Sequence, residues 1–246
     1  VSRGLGDVYK RQKKNSIRLS LKNFKVDKSS LLAIYRVGIP SVFINAIPSI
    51  MVSSMNYILV TINDTAVTTF GIYYKLQYFV YMGVSGISQG TMPIMGYCFG
   101  AKNKQRLYQT IKDSILLSFG IGIISLIVFQ SIPNLLMSMF YNDSSLIQTT
   151  NTLLRLGSIS FVFGCISYIL ASFFQSIQKG ILSFIVTLLR QLLLLLPIAY
   201  GLRLSLNEIG VYLALPISEA IALGVAVIFF ISVSYTHLRA HETLSD

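Results

Sequence analysis

Residues 73–107 read YYKLQYFVYMGVSGISQGTMPIMGYCFGAKNKQRL, and this stretch decides what kind of fold the chain adopts. No charged residue falls between positions 76 and 101, and Lys102, Lys104 and Arg106 then follow in quick succession. At about 1.5 Å per residue the uncharged run is long enough to cross a hydrocarbon core of roughly 30 Å. The basic cluster that ends it suits a cytoplasmic loop, because Lys and Arg are enriched on that side of membrane proteins.

The same run is not a plain anchor. Ser85, Ser88, Gln89 and Thr91 carry polar groups that lipid cannot satisfy, so they must face protein or a wet cavity. Pro93 removes one backbone hydrogen bond and predicts a kink. Gly83, Gly86 and Gly90 recur at helical spacing, which predicts a nearly bare face against which a neighbouring helix packs. On that expectation Val84 points away from the interface. Helices interrupted by proline and glycine and carrying polar groups at depth are the kind that line transport paths.

Outward from this stretch the chain keeps the same character. Of 246 residues 53% are hydrophobic and only 12% charged, against about 25% charged in soluble domains. The mean hydropathy is +0.66. All six prolines lie in or beside apolar runs, where membrane helices tolerate them. The pattern predicts an all-α, polytopic membrane protein: a six-helix bundle over 37–231, with both ends cytoplasmic. Its apolar segments fall at about 37–62, 66–101, 114–140, 152–177, 181–201 and 209–231. Gly157, Ser160 and Gly164 share one small face of the fourth.

The flanks read differently. VSRGLGDVYKRQ at 1–12 and VSYTHLRAHETLSD at 233–246 resemble adapter-derived sequence, so 1–12 and 232–246 are set aside as artefacts. The chain begins with Val1 rather than Met, and we read it as a fragment. Setting the tail aside removes the two histidines, His237 and His241, whose spacing beside Glu242 could otherwise hold a metal. Residues 13–36 are basic, with Ile17, Leu21 and Phe24 at helical spacing; either a surface helix on the cytoplasmic leaflet or a solvated linker fits them.

The net charge of +11 sits in the first 36 residues and in short loops between apolar runs. That placement suits anionic lipid and not nucleic acid. Cys98 and Cys165 fall in separate apolar segments, which suits buried thiols. The chain has no GxxxxGK[ST] loop for nucleotide phosphates and no triad, so no enzyme and no cofactor is expected. Any transport would draw on an ion gradient.

Charges at membrane depth are then the candidates, because each is costly in lipid. They are Lys75, Arg190 and Glu219, joined by the amides Gln77 and Gln89 as substrate or coupling candidates. Counting depth from the turn at Lys179 and from the external end of the last segment puts Arg190 and Glu219 near the midplane of antiparallel neighbours. An ion pair between them is the simplest relief, since Arg cannot shed its proton.

The motifs also resemble a known family. GISQGTMPIMGYCFGAKN at 86–103 is similar to the eighth helix of multidrug and toxic compound extrusion (MATE) transporters. SFFQSIQKGILSFIVTLLRQLLLLLPIAY at 172–200 resembles that family's tenth-to-eleventh helix junction, with Arg190, Gln191 and Pro197 in matching places. GVYLALPISEA at 210–220 resembles the twelfth helix, with Glu219 in the acidic position, and Lys75 matches the basic residue early in the eighth. Cys98-Phe99 replaces the family's usual Asn-Tyr, and Gln178 stands where glycine is common.

The resemblance implies the C-terminal lobe of a twelve-helix antiporter in the plasma membrane of a prokaryote. Its partners would be the lipid bilayer, a missing N-terminal six-helix lobe, small cationic or amphipathic drug-like substrates, and Na⁺ or H⁺. A sodium site in this lobe would need carboxylates that the first and fourth segments lack. Two other readings stand beside it: a lipid-linked oligosaccharide flippase of the same superfamily, and a non-transporting membrane subunit.

Overall fold

The computed structural model describes residues 27–140 and 144–235. Helix α1 spans Lys28–Val60 and ends at a short turn before Asn63. That residue has extended backbone (φ −167°, ψ 164°) and caps the next helix, its Oδ1 accepting from the Ala66 amide at 2.6 Å. Asp64 in the first turn adds a favourable charge at the positive helix end.

Helix α2, Asp64–Gly100, is therefore 37 residues long and keeps Pro93 inside it. It stops where Lys102 takes a left-handed conformation (φ 54°). Asn103 immediately caps α3, Lys104–Ser131, by accepting from the Arg106 amide at 3.1 Å. Two asparagine caps thus bracket the organising stretch. The third apolar segment differs from its expected bounds: α3 starts ten residues before position 114, and Pro133 opens a separate short helix, α4, Pro133–Ser138. Proline at the first helical position suits a new start and not a continuation.

The fourth segment is a pair of nearly continuous helices, α5 Ser144–Ser158 and α6 Ser160–Ser176. Gln178, at φ 61°, turns the chain into α7, Gly180–Leu188. A π-helical turn, Leu189–Leu193, follows, closed by the Leu194 amide bonding the Leu189 carbonyl at 2.9 Å. Helix α8 runs over Leu195–Ser234 but is folded at Asn207 (φ 50°, ψ −130°). The expected break between the segments ending at 201 and beginning at 209 is thus reduced to one non-helical residue. Gly210 meets the Leu202 carbonyl so closely that a Cβ there would overlap it. The six passes are α1, α2, α3, α5 with α6, α7 through residue 206, and the remainder of α8.

Among the described residues, Ser41–Val60, Lys104–Ser131, Thr150–Ser176 and Gly180–Ser234 are long and apolar enough to cross a membrane, the last containing two passes. Helix α2 has the length but carries too many polar groups to join them. That is the composition of a helix facing both packed protein and a wet space. The chain is a multi-pass, all-α membrane protein.

The core centres on aromatic side chains. Phe129 meets Phe161 edge-on (centroids 4.9 Å), and Tyr73 meets Tyr212 likewise at 5.5 Å. The Tyr73 hydroxyl donates to the Gly157 carbonyl at 3.0 Å and lies 3.2 Å from the Ser160 hydroxyl, so a buried polar group is satisfied. The small face of the fourth segment is a true packing surface: an added Cβ at Gly157 would stand 2.6 Å from the Tyr73 ring. Cys98 and Cys165 are separate buried thiols.

The glycine face of α2 is a correction. Val84 is fully buried and packs inward with Val80, Ser88, Met95 and Cys98. A Cβ added at Gly83 would touch only the tip of Ile121 at 3.4 Å, while one at Gly86 or Gly90 would meet nothing within 4 Å. Helical spacing shows which residues share a face. It does not say whether the bare face or the branched one is turned inward.

Candidate functional site

A stripe along α2 builds one wall of the site. Tyr74, Tyr78, Tyr81, Ser85, Ser88 and Met92 follow one another by three or four residues, so they share a face. Together with α1, α6, α7, the π-helical turn and α8 this stripe encloses a cavity of about 770 Å³. Helix α1 brings Ser41, Asn45 and Met51 to it; α6 brings Ser167, Tyr168, Ser172 and Gln175. A π turn has a wider repeat than an α turn. Arg190 and Gln191 lie in that segment and both line the cavity.

Arg190 and Glu219 are the charged residues of the lining, and the structure brings them together. The Arg190 Nε lies 3.6 Å from Glu219 Oε1, and both side chains are buried. Arg190 also donates to the Gly164 carbonyl at 3.2 Å, and its guanidinium carbon sits 5.5 Å from the centre of the Tyr81 ring. Gly164 is required here, because a Cβ on it would overlap the Tyr81 hydroxyl and come within 3.2 Å of the Glu219 carboxyl carbon. A buried ion pair is tolerable only when further partners satisfy its remaining groups. The carbonyl and the aromatic face supply part of that support.

The other sequence candidates divide. Gln77 and Gln89 line the cavity, and the Gln89 amide donates to the Ser85 hydroxyl at 3.0 Å. Lys75 is exposed and does not line it. Among the packing candidates, Gly86 lines the cavity wall and Gly83 does not. The histidines His237 and His241 lie outside the described residues. Among the described residues no group of three His, Cys, Asp or Glu side chains is arranged to hold a metal.

Sequence reasoning missed the tyrosines. Tyr74, Tyr78 and Tyr81 from α2 and Tyr168 from α6 all reach the cavity, with the Tyr81 and Tyr168 rings 6.1 Å apart. Their regular spacing on α2 was a readable signal, but tyrosines at helical spacing are ordinarily core. A second polar seam ties the same walls together. The Ser88 hydroxyl donates to Ser172 at 2.6 Å, and Gln175 donates to Ser183 at 2.9 Å.

The family model MatE matches residues 40–201. The multidrug export protein MepA of Staphylococcus aureus (strain MSSA476) is 23% identical over 215 residues, covering 87% of this chain and 47% of that protein. MepA of Staphylococcus haemolyticus is 22% identical over 214 residues, with the same coverage. The chain thus spans about half the length of the curated relatives it matches.

Two solved structures share the fold. One is the outward-facing conformation of a multidrug resistance MATE family transporter of the MOP superfamily. It has a TM-score of 0.81 and 21% identity, over 89% of this chain and 49% of that one. The other is a MOP superfamily transporter from Pyrococcus furiosus, with a TM-score of 0.83 and 19% identity. It covers 91% of this chain and 51% of that one.

Proposed function

This chain belongs to the MatE family, and from that premise we infer that it forms one six-helix lobe of a secondary multidrug exporter. The exporter would move cationic or amphipathic drug-like molecules out through a prokaryotic plasma membrane against an inward flow of Na⁺ or H⁺. Lobe-like units of such carriers hold substrate at their interface near the bilayer midplane. Residues 37–231 are the part of the chain assigned to that lobe, with both of its ends on the cytoplasmic side.

One observation carries the reading. The cavity is walled by tyrosines, glutamines, serines and methionines around a buried ion pair, which is the mixture of apolar surface and few placed polar groups that small-molecule sites use. In this reading Gln77 and Gln89 contact substrate, while Arg190 and Glu219 hold the wall in shape. The flippase reading needs free basic groups for a phosphate. Lys75 lies off the cavity and Arg190 is already paired with Glu219, so the geometry supports export instead.

The test is accumulation of ethidium in a bacterial host stripped of its own drug exporters. The complete reading frame that contains this chain is expected to lower accumulation and raise resistance. Dissipating the proton and sodium gradients in turn identifies the coupling ion. Unchanged accumulation with well-folded protein in the membrane would reject the export reading.

A further inference from the structure

A second groove lies apart from the cavity, between α1 and the first part of α8. It measures about 460 Å³ and is lined by Ser53, Ser54, Tyr57 and Ile58 from α1 and by Leu196 and Tyr200 from α8. Ile58 sits two residues before the end of α1, and Tyr200 seven before the fold at Asn207. The groove therefore opens at that end of the bundle, which is external in the topology proposed above. Tyr57 and Tyr200 stand 77% and 55% exposed there, as aromatic side chains do where a membrane meets water. Between Leu196 and Arg203 the groove wall descends about 10 Å at 1.5 Å per residue. The Ser53 hydroxyl spends its donor on the Ser49 carbonyl at 3.0 Å.

Arg203 stands at the mouth of this groove, because both of its contacts are groove residues. Its Nη1 donates to the Ile58 carbonyl at 3.4 Å, and its guanidinium carbon lies 5.7 Å from the centre of the Tyr200 ring. The carbonyl belongs to the last turn of α1, where helix geometry leaves such groups without a backbone partner. That contact occupies one of the five donors of the guanidinium. The carboxylate nearest in sequence, Glu208, is held elsewhere: the Asn63 amide donates to its Oε1 at 2.6 Å. Asp64 follows Asn63 in the first turn of α2. This corner thus carries one guanidinium on the groove side and two carboxylates on the side of the α1–α2 turn.

We propose that the groove binds one phospholipid with an amine-bearing headgroup, of the phosphatidylethanolamine kind. The planar guanidinium fork of Arg203 matches the paired oxygens of a phosphodiester. Asp64 and Glu208 attract an ammonium group and disfavour a headgroup of net negative charge. One acyl chain starts between Tyr57 and Tyr200 and runs down past Leu196. The bound lipid braces α1 against α8, and α1 also brings Ser41, Asn45 and Met51 to the cavity. The proposal rests on the chain spanning a membrane and is independent of what the protein exports.

The test is photocrosslinking of the protein from its complete reading frame. A p-benzoylphenylalanine placed at Ser53 reads the occupant of the groove, and the same group at Leu116, an exposed residue of α3, reads bulk lipid. The vesicles hold phosphatidylethanolamine, phosphatidylglycerol and diacylglycerol with the same acyl chains. Lipid adducts are counted by mass spectrometry, and each ratio at Ser53 is divided by that at Leu116, so vesicle composition cancels. Phosphatidylethanolamine should be enriched over diacylglycerol about tenfold at Ser53, the effect of charge-assisted hydrogen bonds to one phosphate. It should also lead phosphatidylglycerol. Arg203→Gln should return the first ratio to the bulk value, and Arg203→Lys should keep part of the enrichment. Excess glycerophosphoethanolamine, which has the headgroup without chains, should not displace the lipid.

Equal ratios at Ser53 and Leu116 overturn the proposal, as does enrichment that survives Arg203→Gln. Phosphatidylglycerol ahead of phosphatidylethanolamine overturns it too, and so does a crosslink from Ser53 to protein in place of lipid, which would mean that another part of the protein fills the groove. If Arg203→Gln fails to fold, the ratios with Arg203 intact still decide. The ethidium assay in cells is read separately. Export without lipid enrichment sinks the lipid site and leaves the export reading standing, while enrichment without export does the reverse.

Discussion

Arg190 and Glu219 are 29 positions apart in sequence and 3.6 Å apart in space, because α8 folds back on the preceding pass at Asn207. The pairing that depth counting anticipates is the one the fold makes. Its support comes from a third helix, through the Gly164 carbonyl on α6. The pair therefore ties α6, the π-helical turn and α8 into one unit at the cavity wall.

That arrangement makes an asymmetric prediction. Glu219→Ala strands a buried guanidinium that cannot lose its proton, and breaking such a pair costs about 3–5 kcal/mol. Changing Arg190→Leu as well removes the stranded charge and should recover much of the loss. Folded yield and melting temperature, measured by size-exclusion chromatography of a fluorescent fusion, give the double-mutant cycle. Strictly additive losses would show that the two residues do not interact.

A second prediction reverses what spacing alone suggests for α2. Val84 is fully buried, so Val84→Leu inserts a methylene into a packed interior and should cost about 1–3 kcal/mol. A Cβ added at Gly86 would meet nothing within 4 Å, so Gly86→Leu should leave thermal stability unchanged or slightly improved. Its side chain would project into the cavity wall, and ligand binding should weaken instead. Equal melting temperatures for the two variants would contradict this placement.

Gly157 tests the aromatic core. An added methyl would sit 2.6 Å from a Tyr73 ring carbon and 3.2 Å from a Tyr212 carbon, so Tyr73 must leave its hydrogen bonds to Gly157 and Ser160. Gly157→Ala should destabilise by about 2–3 kcal/mol, combining overpacking with a lost buried hydrogen bond. Gly120→Ala, with open space at its Cβ, is the control expected to melt like the wild type.

Gln178 supplies the opposite sign. It takes φ 61°, a left-handed conformation that costs an L-residue roughly 1 kcal/mol. Gln178→Gly should therefore raise stability by about that amount, and Gln178→Ala should not. Differential scanning fluorimetry of both variants distinguishes relief of backbone strain from loss of the glutamine side chain.

Much of this protein was set by local sequence. The uncharged runs, the basic stop at residues 102–106, and the asparagine caps at Asn63 and Asn103 act within one helix or one turn, so their physics needs no tertiary partner. The Arg190–Glu219 pair was also legible, because a hairpin relates depth to position and an unpaired buried charge is too costly to leave. Tertiary structure alone decided which face of α2 turns inward. Helical period groups Gly83, Gly86 and Gly90 and groups Val80, Val84 and Ser88, but only the neighbours in space choose between the groups. It also sent Lys75 off the cavity and brought Tyr81 over Arg190. The cavity belongs to six elements at once, so its lining depends on how those elements pack and not on the period of any one of them.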